Sequence, residues 1–557
     1  MKLRKILALM MVFAILLGAL AACGDSGAQT ETTKSLSEKA NVGSSKDGEI
    51  DANRVEAGEQ SSGVVKDVVY LGVQSDPTNW APWAPPSNGR TVALNGVGIY
   101  QGFGYFIDGE WVPQLAKDYV VSDDGLTITV NMFDYITDHN GNKVDAHDAE
   151  FSFAKGTEMG YITGVKFVDS LTAVSDNVVE VKLNRIMGLG DADTLMGYNI
   201  VSQKSYEESD EGMSTWAVGT GPYMLTEYTS GYSFTYSMNE DYWQTDDQYI
   251  GIREGRNVKQ AVYYIIAESA QRSIALENGT IDMCAEVSTD DLPKFMDGGS
   301  QDDNFWTYGV YDNLCLYLYP NMSENKATTD INLRNAIFYA VNSQAVVDSV
   351  YDGLAVTCWD FGSRWVKGFD ENWIDEDSYY QYNMDKAKEY LAASNYNGEE
   401  LVILTEGTQD TSNTATLIQS MLLAIGINAR IEAVESSILG TYRENPDNWD
   451  LLVMKYACSQ YTAKGYFMTM SDDRYAWNGT LNFIYDDQLQ TLVDTVMTVA
   501  GNTQDNIQTL HEYVIDNAYG YNICNFVTNY VLSNKVDKIA LTSSWAIIPG
   551  ATTYVAE

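Results

Sequence analysis

Histidine is almost missing: His139, His147 and His511 are the only three among 557 residues. So few leave little room for a His-rich metal centre or a His-dependent hydrolase. Positive charge is scarce too. Lys and Arg number 34 against 77 Asp and Glu, a net charge of −43, which argues against nucleic acid as a partner because phosphates demand a basic surface. There are six cysteines, no two spaced as C-x-x-C, which speaks against a zinc site. The chain also lacks G-x-S-x-G, H-E-x-x-H and P-loop signatures, so a secreted hydrolase has nothing to single it out. What the chain has in excess is aromatic: 38 Tyr and 12 Trp. Such side chains pair an apolar face with a polar tip and suit the walls of a ligand cleft; they equally suit a β-rich fold.

One long hydrophobic run exists, Ile6 to Ala22, behind Lys2, Arg4 and Lys5. It is short for a membrane span and ends in small residues, as a signal peptide does. Leu20-Ala21-Ala22-Cys23 resembles the lipobox of bacterial lipoproteins. The resemblance implies cleavage before Cys23 and a lipid on its thiol, placing the protein on the extracytoplasmic face of the cell membrane. Losing residues 1–22 removes three positive charges and no negative one, leaving −46. Residues 24–66 contain no aromatic residue and read as a flexible tether.

Beyond residue 66 the pattern is mixed α/β. Asp67–Val73 reads as a strand, followed by a Pro-stiffened loop carrying Trp80 and Trp83. Asp124-Gly125 and Asn140-Gly141 are hairpin signals. Asp145 predicts a helix cap, with Asp148 three residues on. Residues 168–184 read as two strands about a turn, and 269–278 as a helix ending at Gly279. Further helices are expected over 332–341, 384–394 and 414–425, and strands over 428–433 and 450–454.

Five stretches, in order, resemble the large peptide-type solute-binding proteins of ABC importers, a family that includes dipeptide, oligopeptide, nickel and some oligosaccharide binders. They are Val112–Val130 with its Ser122-Asp123-Asp124-Gly125-Leu126; His139-Asn140-Gly141 with Asp145-Ala146-His147-Asp148; Gly219-Thr220-Gly221-Pro222-Tyr223 with Asn239–Trp243; Ala275–Asp282; and Leu333–Asn342. The resemblance implies a two-lobed α/β clamp of the periplasmic-binding type with an extra β-rich subdomain. Transferred by motif position, lobe I is 67–103, 185–283 and 530–557, the inserted subdomain 104–184, and lobe II 284–529. It also implies a monomeric binder, with no cofactor or metal of its own, that closes on a small molecule or peptide. The closed form would dock on membrane permease subunits, with separate ATPase subunits behind them.

In the peptide-binding members a Trp-x-Ala-Asp-Tyr stretch follows the lobe II strand that here ends near Met454, and its Asp pairs with the ligand's ammonium. This chain reads Lys455-Tyr456-Ala457-Cys458-Ser459-Gln460-Tyr461, with Gln460 at the Asp position. Gln can accept a hydrogen bond but cannot neutralise a buried cation. Two ligands therefore stay open: an oligosaccharide, or a peptide anchored by another carboxylate such as Asp360. Tyr456, Gln460, Tyr461, Trp80, Trp83, Trp359 and Arg364 are the expected ligand contacts. Leu314-Cys315-Leu316-Tyr317-Leu318-Tyr319 matches a family pattern that implies a Cys315–Cys458 disulfide. That bridge would close a loop of ~140 residues and contribute ~4 kcal/mol in the chain-entropy picture.

Overall fold

The structure is a computed structural model. It describes residues 64–84, 97–107, 110–159, 165–187, 189–285, 287, 291–297, 300–301, 304–351, 355–362, 369–374, 379–457, 470, 482–498, 500–542 and 546–555. Cys23, the tether to residue 63, Arg364, Cys458, Gln460 and Tyr461 lie outside the described residues. Among the described residues no helix is long and apolar enough to cross a membrane.

An eleven-stranded sheet organises the molecule. Its strands, with those of the inserted sheet, are β1 (Lys66–Val73), β2 (Ala116–Val121), β3 (Thr127–Met132), β4 (Val168–Ser175), β5 (Val178–Leu183), β6 (Tyr223–Thr229), β7 (Ser233–Met238), β8 (Val258–Ile265), β9 (Met283–Ala285), β10 (Phe305–Pro320), β11 (Ala355–Thr357), β12 (Leu401–Glu406), β13 (Ala429–Val434), β14 (Leu451–Ala457) and β15 (Tyr521–Ser533). The large sheet runs β13-β12-β14-β10-β15-β9-β1-β8-β7-β6, with β11 added on β15. A separate antiparallel sheet, β2-β3-β5-β4, lies within the stretch where the sequence crowds its strand signals. The helices used below are α1 (Ala146–Glu158), α2 (Ser269–Glu277), α3 (Ile331–Ala340), α4 (Ser343–Val350), α5 (Met384–Ala393), α6 (Gln409–Ile425), α7 (Asp487–Met497) and α8 (Gln504–Asp516).

The two longest strands, β10 and β15, pair antiparallel and hold the architecture together. Near one end Phe305–Tyr311 pairs with Val527–Ser533; near the other Cys315–Leu318 pairs with Tyr521–Asn525, and the register shifts between Tyr311 and Cys315. The flanking cores divide at the same place. Trp306, Tyr308, Tyr530 and Leu532 belong to one apolar cluster with β1, β8 and the inserted sheet. Cys315 to Tyr319, Tyr521, Ile523 and Cys524 belong to another, with α3, α6, α7 and α8. Cys284, Val287, Leu292, Phe295 and Val531 form a small third cluster against α2. Cys284, Val287, Leu292, Phe295, Trp306 and Tyr308, which motif position places in lobe II, thus share clusters with β1, β8 and α2, because β10 starts among those elements and only afterwards crosses.

Strand direction follows from the pairings. β1, β8 and β9 are parallel to each other, while β9 and β10 are each antiparallel to β15. The three lobe I strands therefore run the same way as β10, toward lobe II. β12, β13 and β14 are mutually parallel and β14 is antiparallel to β10, so the lobe II strands run toward lobe I. The carboxyl ends of both sets face each other along the crossing strands. Through the register, Val73 stands level with Tyr308 and Ala457 with Leu314. About six residues of β10 separate them, roughly 20 Å at the rise of a strand.

The motifs that carry the resemblance are joints in this frame. His139 donates its backbone N–H to the Gly219 carbonyl at 2.9 Å. Its ring Nδ1 accepts from the Gly219 N–H at 3.2 Å, and its Nε2 lies 3.0 Å from the Gly221 carbonyl. A Cβ on Gly219 or Gly221 would stand 2.0 Å from the Ile99 carbonyl oxygen or 1.7 Å from that of Gly98, so only glycine lets these backbones meet. The Asp145 side chain accepts from the His147 N–H, while the Asp148 side chain accepts from the Asp145 N–H. This is a reciprocal cap at the start of α1. Arg334, on α3, is buried and donates to the carbonyls of Thr328, Thr329, Asn517 and Ala518. It thereby joins the approach to α3 to the residues that end α8.

Candidate functional site

In an open α/β sheet, ligands settle in the crevice beyond the carboxyl ends of parallel strands. This chain has two such rims facing each other. On lobe II, Lys455 stands two residues before the end of β14, and Asp410 lies in the first turn of α6, just after β12. Their side chains form an ion pair and are 28% and 31% exposed. The Lys455 ammonium also lies 4.9 Å from the Phe526 ring centroid and 5.6 Å from that of Tyr351. Tyr351 meets Phe526 edge to face at 4.9 Å, and the Tyr351 and Thr414 hydroxyls are 3.3 Å apart. Partial burial tends to raise the Asp410 carboxyl, but hydrogen bonds from Lys455 and the Thr408 hydroxyl outweigh it and hold the group below its ordinary value. The floor is a charged pair resting on two aromatic rings.

On lobe I, Asp76 follows the end of β1. It accepts hydrogen bonds from the Tyr228 hydroxyl at 2.7 Å, the Ser230 hydroxyl at 2.9 Å, the Thr78 N–H at 3.1 Å and the Gly231 N–H. Burial again acts upward, yet these donors keep the carboxyl below its usual range. The same carboxylate pins the β6–β7 turn against the end of β1.

The expected contacts fall in different places. Trp80 and Trp83 are 0% and 1% exposed in this structure. Trp80 sits edge-on to Tyr228, Phe234 and Tyr236, while the Trp83 indole N–H donates to the Asn199 carbonyl at 3.0 Å. Tyr456 is half-buried and faces Cys315 across the β10–β14 ladder. Trp359 is half-buried with φ 56°, a left-handed conformation that is strained for a bulky side chain. Asp360 beside it has no accessible surface. Its carboxylate lies 3.5 Å from His511 Nε2, also inaccessible, and Trp373 stacks on that imidazole with centroids 3.6 Å apart. Cys284, Cys315, Cys358 and Cys524 are all buried, and the Asn525 amide donates to Cys315 Sγ at 2.8 Å.

Lys455 and Asp410 were not singled out from the sequence. Lys455 had a signal, as a lone cation in an otherwise apolar strand. Asp410 was hidden because Gln409–Asn413 is polar, so the helix expected over 414–425 starts instead at Gln409. Tyr351 and Phe526 join the site only through the pairing of β11 with β15, which no local pattern announces.

Comparison with known proteins agrees with this architecture. Residues 110–478 match the family described as bacterial extracellular solute-binding proteins, family 5 Middle. Heme-binding protein A of Haemophilus influenzae is 26% identical over 330 residues, covering 52% of this chain and 54% of that protein. The dipeptide-binding protein of Escherichia coli is 23% identical over 384 residues, covering 63% of this chain and 68% of that one. The chain thus spans about half the length of the first relative and about two thirds of the second. Among solved structures, HbpA2 from Haemophilus parasuis superimposes with a TM-score of 0.76 at 17% identity, over 88% of this chain and all of that one; this likeness is one of fold. With the family match covering most of the folded chain and two facing strand rims joined by paired crossing strands, the chain belongs to family 5 of the bacterial extracellular solute-binding proteins.

Proposed function

We propose that this protein is the extracytoplasmic capture component of an ABC importer, taking a peptide between its two lobes and handing it to the permease. It acts by binding, without catalysis. The observation that carries the reading is the pair of opposed strand rims about 20 Å apart along β10, a gap in which one solute can touch both lobes. Ligand contact with both rims would favour the closed arrangement over the open one, with the shifted register between Tyr311 and Cys315 as the place where the strands bend. The dipeptide-binding protein of Escherichia coli among the relatives supports a peptide. Gln460, standing where peptide binders carry an acid, keeps an oligosaccharide as the second reading.

The N-terminal segment completes the proposal: Cys23 carries the lipid, residues 24–63 form the tether up to the approach to β1, and the folded body works as a monomer near the membrane surface. Native mass spectrometry of freshly purified protein tests the ligand class. A retained mass of amino-acid composition supports the peptide reading; a hexose ladder replaces it with the sugar reading. A mass that no added solute displaces contradicts capture and release.

A further inference from the structure

We propose that Asn529 is a closure latch: its carboxamide, which has no partner in this arrangement of the lobes, takes one from the backbone at the strand ends beside it when the lobes close. The inference rests on the solute-capture reading and adds to it a residue that sets how tightly the clamp shuts. β15 carries three buried asparagines, Asn522, Asn525 and Asn529, the last 2% exposed. The first two are engaged at the lobe II end. The Asn522 amide donates to the Gly362 carbonyl, and the Asn525 amide to Cys315 Sγ. Asn529 differs: among the described residues neither its side-chain oxygen nor its nitrogen has a hydrogen-bond partner. A buried amide left so is a direct cost to the arrangement that holds it.

Its place explains the cost. One edge of β15 pairs with β10. The other edge is shared: β9 pairs with Tyr530–Leu532 and β11 with Cys524–Phe526. Val527, Thr528 and Asn529 fall between those two ladders. Ala285, the last residue of β9, and Ala355, the first of β11, are thus four residues of β15 apart, ~13 Å at the rise of a strand. β9 packs with the lobe I elements and β11 with the lobe II core, so this gap is where one lobe gives way to the other. Asn529 stands at its lobe I side, opposite Gly309 and two residues from the Val527–Tyr311 pair, where the register begins to shift. Side chains alternate along a strand, so Asn529 shares its face with Val531, which packs in the cluster of Cys284 and Val287. A bend of β15 that brings the lobes together carries both strand ends toward this amide. A carboxamide both donates and accepts, the complement of a peptide group, and Gly309 presents no side chain to hold it back. Leucine, of similar size, would suit the present arrangement better and the closed one worse.

The test is Asn529→Leu in the ligand-stripped, full-length protein. The probe is the small-molecule fraction released by denaturing purified parent protein, added back in calorimetric titration, with trialanine and maltotriose in parallel. The unliganded variant is expected to melt about one degree or more above the parent, because an orphaned amide is gone. Every solute that binds the parent is expected to bind the variant about fivefold or more weakly, chiefly through faster release. The opposite signs are the signature, since a residue that merely packs loses stability and affinity together. A folded variant that melts below the parent, or a loss of affinity smaller than fivefold, would overturn the proposal. Should the leucine variant fail to fold, Asn529→Ala, which needs no more room, must show the same loss of affinity. A loss seen with one bound solute and not with another would make Asn529 a ligand contact and likewise overturn the latch. Small-angle scattering separates the two levels. A parent that compacts with the released fraction, beside an Asn529→Leu protein that binds and compacts equally, removes the latch and leaves two-lobed capture standing. A parent that binds the fraction without compacting removes both.

Discussion

Replacing His139 with glutamine should flatten a slope in the acid stability of this protein. His139 accepts a hydrogen bond from the Gly219 N–H at Nδ1, and its Nε2 meets the Gly221 carbonyl. Only the neutral ring with its proton on Nε2 satisfies both, because a protonated imidazole has no acceptor left. Burial is the leading cause that pushes its pKa down from 6.5 to about 4. Between those values the unfolded chain takes up a proton that the folded chain refuses, so stability falls as the pH falls from 6.5 to about 4. At ~1.4 kcal/mol for each pH unit the full interval is worth about 3 kcal/mol. The residue is half-buried, not fully enclosed, so we expect ~2 kcal/mol from this group. Gln can donate to Gly221 but does not titrate. Urea unfolding at pH 7.0 and 4.5 should therefore show a smaller loss in His139→Gln than in the parent. With three histidines in the chain, selective labelling assigns each ring directly. A His139 resonance that titrates at 6.5 or above, or an unchanged pH slope in the variant, would refute the reasoning.

Three further outcomes test the frame. Arg334→Met should destabilise by ~3 kcal/mol or more in urea unfolding, because four carbonyls lose a charged donor in a buried setting; a loss under 1 kcal/mol would contradict its role as a joint. Gly221→Ala should lower the melting temperature by ten degrees or more or prevent folding, since its Cβ would overlap the Gly98 carbonyl, whereas Gly141→Ala meets nothing within 4 Å and pays only for its left-handed backbone, about 1 kcal/mol. Asp145→Ala should cost about 1 kcal/mol through loss of the α1 cap, read as a shifted unfolding midpoint with an unchanged slope.

The frame was legible from local rules. Asp145 caps α1 as expected, Gly426 ends α6 with φ 96°, and the strands read at 67–73 and 450–454 appear as β1 and β14. These are signals in which a few neighbouring residues decide the backbone. The motifs behind the family resemblance have a different meaning in the structure than a ligand search would give them: His139, Gly219, Gly221 and Arg334 lock elements together. The site was harder to read because it is assembled by register. Phe526 reaches Lys455 only because β11 and β10 pair on either side of β15, and Asp410 reaches it because β12 lies beside β14. Pairings between residues 48 to 228 positions apart leave no period in the sequence. Trp80 and Trp83, conspicuous in a Pro-rich loop, are buried, Trp80 edge-on to Tyr228, Phe234 and Tyr236 and Trp83 against Phe151 of α1 and Tyr206, as aromatic cores allow.

If, as proposed, the two lobes hinge on β10 and β15 and close on one solute, the distance between their rims changes on binding. The most direct measurement is the distance between spin labels on exposed sites of the two rims, Ser230→Cys on lobe I and Glu435→Cys on lobe II, read by pulsed dipolar spectroscopy with and without the solute identified by native mass spectrometry. Labels go on a background with Cys23 and Cys458 replaced by serine, the four described native cysteines being buried. Closure gives a single shorter distance on saturation, reversible on dialysis. An unchanged distance distribution at saturating, calorimetrically verified binding would contradict it.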